Sequence, residues 1–186
     1  MAIKEFISAN QLYRDAFLLA SRIVRSGYEP DVLIVVWRGG TPVGMVIHEY
    51  LAYLGVKPEH EVFKVVSYLG IESQTEPRVQ HPDLVARAVP EGSRVLIVDD
   101  IFDSGRTIQS LVNAMGDAPA EVRVATPYYK PENNLTTRTP DYFVRETDNW
   151  IVFPHELVGL TAEEIQLKDP ETLELLTAKE PQADGG

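Results

Sequence analysis

The segment Asp99-Asp100-Ile101-Phe102-Asp103-Ser104-Gly105-Arg106-Thr107 concentrates more potential chemistry than any other part of the chain. Its latter half, Asp103 to Thr107, offers backbone amides at the start of a predicted helix. It also has a glycine that permits close approach and two hydroxyls, from Ser104 and Thr107. Together these suit a phosphate monoester. The first half sets two adjacent carboxylates at the end of a predicted strand, beside that expected phosphate. Such an apposition of negative charge is costly unless diols or a divalent cation intervene, and ribose hydroxyls and Mg²⁺ would meet the need. A second turn, Arg38-Gly39-Gly40, follows another predicted strand and supplies a cation and two glycines.

The elements that must carry these turns are legible from periodicity. Val32 to Trp37 and Arg94 to Asp99 are short apolar runs rich in β-branched residues and bounded by turn formers, which predicts buried strands. After the first, Thr41 as cap and Pro42 at the first helical position lead into Val43, Val46, Ile47, Tyr50, Leu51 and Leu54, a helical stripe ending at Gly55. After the second, Ile108, Leu111, Val112 and Met115 form the inner stripe of a helix ending at Gly116. Ser8 and Gln11 have the spacing of a capping box for an earlier helix through Leu12, Ala16, Leu19, Ala20 and Ile23, closed before Gly27.

Further strands are predicted at Phe63 to Tyr68, Val122 to Tyr128, Tyr142 to Arg145 and Ile151 to Phe153. The stretch from Leu69 to Pro82 has no clear period and reads as a long mobile loop. Thr161 with Glu164 resembles a capping box, Pro170 to Ala178 reads as an acidic helix, and 179–186 as a frayed tail. Strands alternating with helices predict an α/β fold, a mainly parallel sheet with helices on both faces, in a single domain over 1–186. Ligands of such sheets bind at the carboxyl ends of the strands, where both unusual turns fall.

Composition narrows the class. The 186 residues carry 17 Lys plus Arg against 28 Asp plus Glu, a net charge of −11, so the global field repels polyanions and argues against nonspecific nucleic-acid binding. Absence of cysteine excludes disulfides, thiolate metal sites and a cysteine nucleophile. The four histidines, at positions 48, 60, 81 and 155, show no metal-ligand spacing. With no apolar run long enough to span a bilayer and no leader-like start, the expectation is a cytoplasmic protein with no membrane partner.

At the level of motifs, Val95-Leu96-Ile97-Val98-Asp99-Asp100-Ile101-Phe102-Asp103-Ser104-Gly105-Arg106-Thr107 resembles the phosphoribosyl pyrophosphate (PRPP) signature of the type I phosphoribosyltransferases. Within that family the chain is most similar to the 6-oxopurine enzymes, the hypoxanthine-guanine and xanthine-guanine phosphoribosyltransferases, from about Val32 to Glu156. The resemblance implies that family's core with a small hood. It also implies an Mg²⁺-dependent transfer from PRPP to hypoxanthine, guanine or xanthine in purine salvage, and a homo-oligomer, dimer or tetramer.

Carried over residue by residue, it gives Arg38 and Gly39 to the pyrophosphate, through a strained peptide of the kind the family shows there. Asp99 and Asp100 go to the ribose hydroxyls, directly or through the metal. Asp103 is the general base on the purine N7 proton, and Asp103, Ser104, Gly105, Arg106 and Thr107 hold the 5′-phosphate. Lys130 is assigned to the exocyclic O6, Trp150 to stacking on the base, the Ile151 backbone to its Watson–Crick edge and Glu156 to a second metal or the base. Ser67 and Tyr68 open the family's flexible catalytic loop, with Arg78 as a basic counterpart within 69–82, but this stretch departs from the pattern of either purine subfamily. Two other readings stay open: a non-catalytic PRPP- or nucleotide-sensing regulator, and a phosphoribosyltransferase for another nucleobase.

Overall fold

A computed structural model describes residues 3–66, 69–70, 73–74 and 77–178. The chain divides into two compact units, residues 10–148 and a smaller one formed by 1–9 with 149–186. In chain order the elements are β1 (Lys4–Phe6), α1 (Ala9–Arg25), β2 (Val32–Trp37), α2 (Gly40–Tyr53), β3 (Glu59–Val66), β4 (Leu69–Gly70), β5 (Ser73–Gln74), β6 (Arg78–Val79) and α3 (Pro82–Ala88). They continue with β7 (Arg94–Val98), β8 (Ile101–Phe102), α4 (Arg106–Met115), β9 (Glu121–Tyr129), a 3₁₀ turn at Pro131–Asn133, β10 (Tyr142–Glu146), β11 (Trp150–Val152), α5 (Ala162–Lys168) and α6 (Pro170–Thr177).

The larger unit is built on a sheet of order β10-β9-β7-β2-β3-β6, with β8 pairing β9. The pairs β10·β9, β9·β7, β7·β2 and β2·β3 are parallel, and β6 is antiparallel to β3. Strand β2 is central, and Val32 to Val36 are all buried because both of its faces are covered. On one face Val32, Ile34 and Val36 join Val95, Ile97, Val85 of α3 and Ile108, Leu111 and Met115 of α4 in a continuous apolar core. On the other, α2 lies close enough that a Cβ on Gly44 would come within 2.5 Å of a Val35 methyl. The α/β class and mainly parallel sheet predicted from the sequence are therefore observed.

Several local expectations are corrected. Helix α2 starts at Gly40 with Gly39 as its N-cap and no side-chain cap, so Thr41 lies inside the helix. Its hydroxyl is buried and makes no hydrogen bond. Strand β3 begins at Glu59 rather than Phe63, because pairing with β2 from Val32 onward overrides the poor strand propensity of Glu59-His60-Glu61. The segment 69–82, read as irregular, contains the antiparallel pair β4·β5 and the rung β6, where Arg78 faces Val66 of β3. Ser67, Tyr68 and the tail 179–186 lie outside the described residues.

In the smaller unit β1 pairs in parallel with β11, Glu5 opposite Ile151. Thr161 caps α5 in the predicted box: the Glu164 N–H donates to Thr161 Oγ1 at 3.3 Å, and the Thr161 N–H to Glu164 Oε2 at 3.0 Å. Among the described residues no helix is long and apolar enough to cross a membrane.

Candidate functional site

Strands β9, β7 and β2 are neighbours and run parallel, so the loops that leave their carboxyl ends sit side by side. These are Arg38 to Gly40 after β2, Asp99 to Gly105 after β7, and Lys130 to Thr136 after β9. Three segments distant in sequence are thus brought together by strand order alone.

The first two loops interlock through glycine. A Cβ on Gly39 would stand 1.9 Å from Asp100 Oδ2, and one on Gly40 would stand 2.5 Å from the Val98 carbonyl oxygen. Only hydrogen at these positions admits the contact. The peptide between Trp37 and Arg38 is cis, and the Arg38 side chain is exposed at the mouth of the turn.

The two adjacent acids have different environments. Asp99 is buried, and its carboxylate accepts the N–H of Asp100 at 2.9 Å and a backbone hydrogen bond from Gly40. Burial, with the Asp100 charge second, pushes its acid well above the usual carboxylate range against the pull of those hydrogen bonds. Its carboxylate therefore ties the β7 loop to the β2 loop, whereas Asp100 is half-buried and lies over Gly39.

Beyond Asp100 the chain returns to the sheet as β8, pairing Ile101 with Tyr128 and Phe102 with Tyr129. The Phe102 ring is buried edge-on against Tyr129, with centroids 5.6 Å apart. The ladder continues with the Lys130 N–H donating to the Phe102 carbonyl at 2.9 Å. Asp103 and Lys130 thereby emerge together at the end of β8·β9. Lys130 Nζ lies 3.6 Å from Asp103 Oδ2, with the lysine buried. Asn133, which the sequence reading did not single out, donates from Nδ2 to Asp103 Oδ1 at 2.7 Å.

The turn then passes through Ser104 and Gly105 into α4. Gly105 has φ +75°, and a Cβ there would meet Thr136 Oγ1 at 2.5 Å and the Phe102 ring at 2.9 Å, so the position requires glycine twice over. The Leu135 N–H donates to the Ser104 carbonyl at 3.0 Å, pinning the β9 loop across this turn. Thr107 falls in the first turn of α4 beside Arg106, whose N–H donates to Ser104 Oγ at 3.5 Å, and a helix start of this kind favours an anion.

The larger unit therefore gathers Arg38, Gly39, Asp99, Asp100, Asp103 to Thr107 and Lys130, ten of the predicted positions, at one end of its sheet. Arg78 lies in the edge strand β6, opposite Val66 at the carboxyl end of β3. Ser67 and Tyr68 lie outside the described residues, and Trp150, Ile151 and Glu156 belong to the smaller unit. There Trp150 is 58% exposed on β11, Ile151 is buried, and the Glu156 carboxylate accepts the Phe153 N–H at 3.1 Å. Among the described residues no cluster of three His, Cys, Asp or Glu side chains is shaped to hold a metal by itself.

The chain resembles known proteins over most of its length. The sequence pattern of the phosphoribosyl transferase domain matches residues 4–158. The chain is 31% identical over 157 residues to a xanthine-guanine phosphoribosyltransferase of Gluconobacter oxydans (strain 621H), covering 83% of this chain and 85% of that protein. It is 30% identical over 158 residues to the protein of the same name from Cereibacter sphaeroides (strain ATCC 17025 / ATH 2.4.3), covering 81% and 86%. Among solved structures, a purine phosphoribosyltransferase from Pyrococcus horikoshii Ot3 superposes with a TM-score of 0.67 at 30% identity, covering 85% of this chain and 97% of that one.

Proposed function

The chain belongs to the phosphoribosyl transferase family, and on that premise we propose that it transfers the 5-phosphoribosyl group of PRPP to a 6-oxopurine. The products are the nucleoside 5′-monophosphate and pyrophosphate, as in purine salvage. One observation carries the choice of acceptor: a buried ammonium and a carboxylate oxygen stand 3.6 Å apart at the end of the β8·β9 ladder. A 6-oxopurine protonated on N7 presents an acceptor, O6, directly beside a donor, N7–H. Lys130 and Asp103 match that pair. An amino group at C6 would instead turn a donor toward the Lys130 ammonium, which disfavours adenine.

In the transfer, purine N9 forms a bond to C1′ of the ribose while the bond from C1′ to the pyrophosphate oxygen breaks. The proton on N7 passes to Asp103, which acts as general base. The 5′-phosphate sits against the amides and hydroxyls of Ser104, Gly105, Arg106 and Thr107 at the start of α4. Arg38 and the Gly39 amide take the leaving pyrophosphate. Asp100 faces the ribose hydroxyls, and Asp99 acts behind it by holding the two loops together.

Mg²⁺ fits this donor set. A hard cation that keeps several waters needs only one or two protein carboxylates plus substrate oxygens, and the Asp100 carboxylate over the Gly39 cradle provides one. When bound, the ion would supply neutralising charge for the pyrophosphate. In the smaller unit the Glu156 carboxylate already serves the Phe153 backbone amide. There the exposed Trp150 indole is a platform on which a planar heterocycle can stack.

The proposal is tested by pyrophosphate release from PRPP and Mg²⁺ with hypoxanthine, guanine, xanthine, adenine, uracil or no base. Release that depends on a 6-oxopurine supports it. Release with uracil or adenine alone would move the acceptor elsewhere, and binding of PRPP without any product would support a sensing role.

A further inference from the structure

Lys130 and Asn133 are the first and last residues of a tight turn: Pro131 to Asn133 is 3₁₀, and the Asn133 N–H donates to the Lys130 carbonyl at 3.2 Å. Residues three apart in such a turn eclipse one another, so their side chains project to the same side. Both reach Asp103. Asn133 Nδ2 bonds Oδ1 at 2.7 Å, while Lys130 Nζ stands at 3.6 Å from Oδ2.

We propose that Asn133 is a positioning residue for the transfer: it holds one oxygen of Asp103 so that the other faces the acceptor base beside, rather than locked onto, Lys130. This rests on the reading of Asp103 as base and Lys130 as O6 donor given above. An aspartate with both oxygens unconstrained and an ammonium within reach rotates into a close ion pair, which is shorter and stronger than a 3.6 Å approach. In that state the base and the O6 donor satisfy each other instead of the purine. The amide of Asn133 occupies Oδ1 without adding charge. It spends the oxygen not needed for N7–H and fixes the carboxylate plane.

Two further observations separate this role from a purely structural one. Asn133 is exposed, so its side chain fills no core space and shields no buried group. The turn itself is held by backbone contacts, from Asn133 to Lys130 and from Leu135 to Ser104, which persist without the amide side chain.

The test is a double-mutant cycle between Asn133→Ala and Asp103→Ala, with steady-state kinetics for PRPP and for the 6-oxopurine and product followed with radiolabelled base. Asn133→Ala is expected to lower kcat about tenfold, the loss of one charge-assisted hydrogen bond, with the KM for PRPP unchanged and Tm within about 2 °C of wild type. Asn133→Asp, which sets a second carboxylate against Oδ1, is expected to be slower still. In the Asp103→Ala background the Asn133 substitution should change nothing, since nothing remains to be positioned. A tenfold loss that persists in that background, or unaltered kcat in Asn133→Ala while Asp103→Ala is inactive, would overturn the inference. Full activity in Asp103→Ala itself would instead overturn the reading of Asp103 on which it rests.

Discussion

Replacing Gly39 with alanine perturbs the interlock of the two loops at a single atom. Gly39 has φ −63° and ψ −38°, an ordinary right-handed conformation, so alanine brings no backbone strain. Its Cβ would, however, lie 1.9 Å from Asp100 Oδ2 and 2.3 Å from Asp100 Cγ. No such contact is tolerable, and the half-buried carboxylate must swing away. Reduced unfolded-state entropy offsets a poorer N-cap, so global stability should stay within about 1 kcal/mol of wild type. If Asp100 addresses PRPP or its metal, the displaced carboxylate forfeits a charge-assisted interaction of about 1.5–3 kcal/mol, a rise of roughly 10- to 150-fold in the KM for PRPP. Initial rates across a PRPP titration, paired with thermal denaturation, measure both quantities. Asp100→Ala alone should cost as much, and Gly39→Ala combined with Asp100→Ala no more than either. An unchanged KM for PRPP in Gly39→Ala would refute the placement of Asp100 in the site. Additive losses would show that the new methyl acts on the pyrophosphate itself.

If Trp150 stacks on the base, as the resemblance to the 6-oxopurine enzymes implies, Trp150→Ala should raise the KM for the base by the worth of one stacking contact, about 1–3 kcal/mol, and leave the KM for PRPP alone; equal effects on both substrates would contradict that role. Asp31 accepts the Arg94 N–H at 2.8 Å and its guanidinium through both oxygens, at 2.9 and 3.1 Å, which holds the carboxyl below its usual range. Because the folded-state pKa is depressed, this stabilisation is present above the unfolded-state value and is lost as pH falls through the folded-state one. The pair is nearly half exposed, so solvent screening keeps the contribution small. Urea denaturation of Asp31→Asn should therefore show a small deficit at pH 7 and a shrinking one below about pH 4; a deficit independent of pH would assign it to something other than charge.

What the sequence discloses and what it withholds follow from range. Val32 to Trp37 and Arg94 to Val98 are so densely apolar that only a doubly covered strand suits them, and the glycines and acids beyond each can do little but line a loop. The site of the larger unit was therefore legible as two turns. Their interlock was not, because the contact of Gly39 with Asp100 joins residues 61 positions apart and depends on β2 and β7 being adjacent. Strand β8 was hidden for a similar reason. Ile101-Phe102 is too short to signal a strand by itself and forms one only because β9 offers a free edge there. The start of β3 at Glu59 likewise reflects pairing with β2, against local propensity. Asn133 left one faint trace, its placement three residues after Lys130 and two after Pro131, which reads as a tight turn only once Lys130 is known to be buried. Thr41 looked like a cap because threonine before proline usually is one, yet Gly39 and Gly40 already adopt helical geometry and draw the helix start back past it.

The central claim, that Asp103 takes the purine N7 proton, is tested most directly by Asp103→Asn, which preserves shape and removes the base. PRPP binding is followed by calorimetry and nucleoside 5′-monophosphate formation in a single turnover. The account predicts PRPP affinity within a few-fold of wild type and turnover with a 6-oxopurine reduced by about 10²–10⁴. Turnover equal to wild type would contradict it.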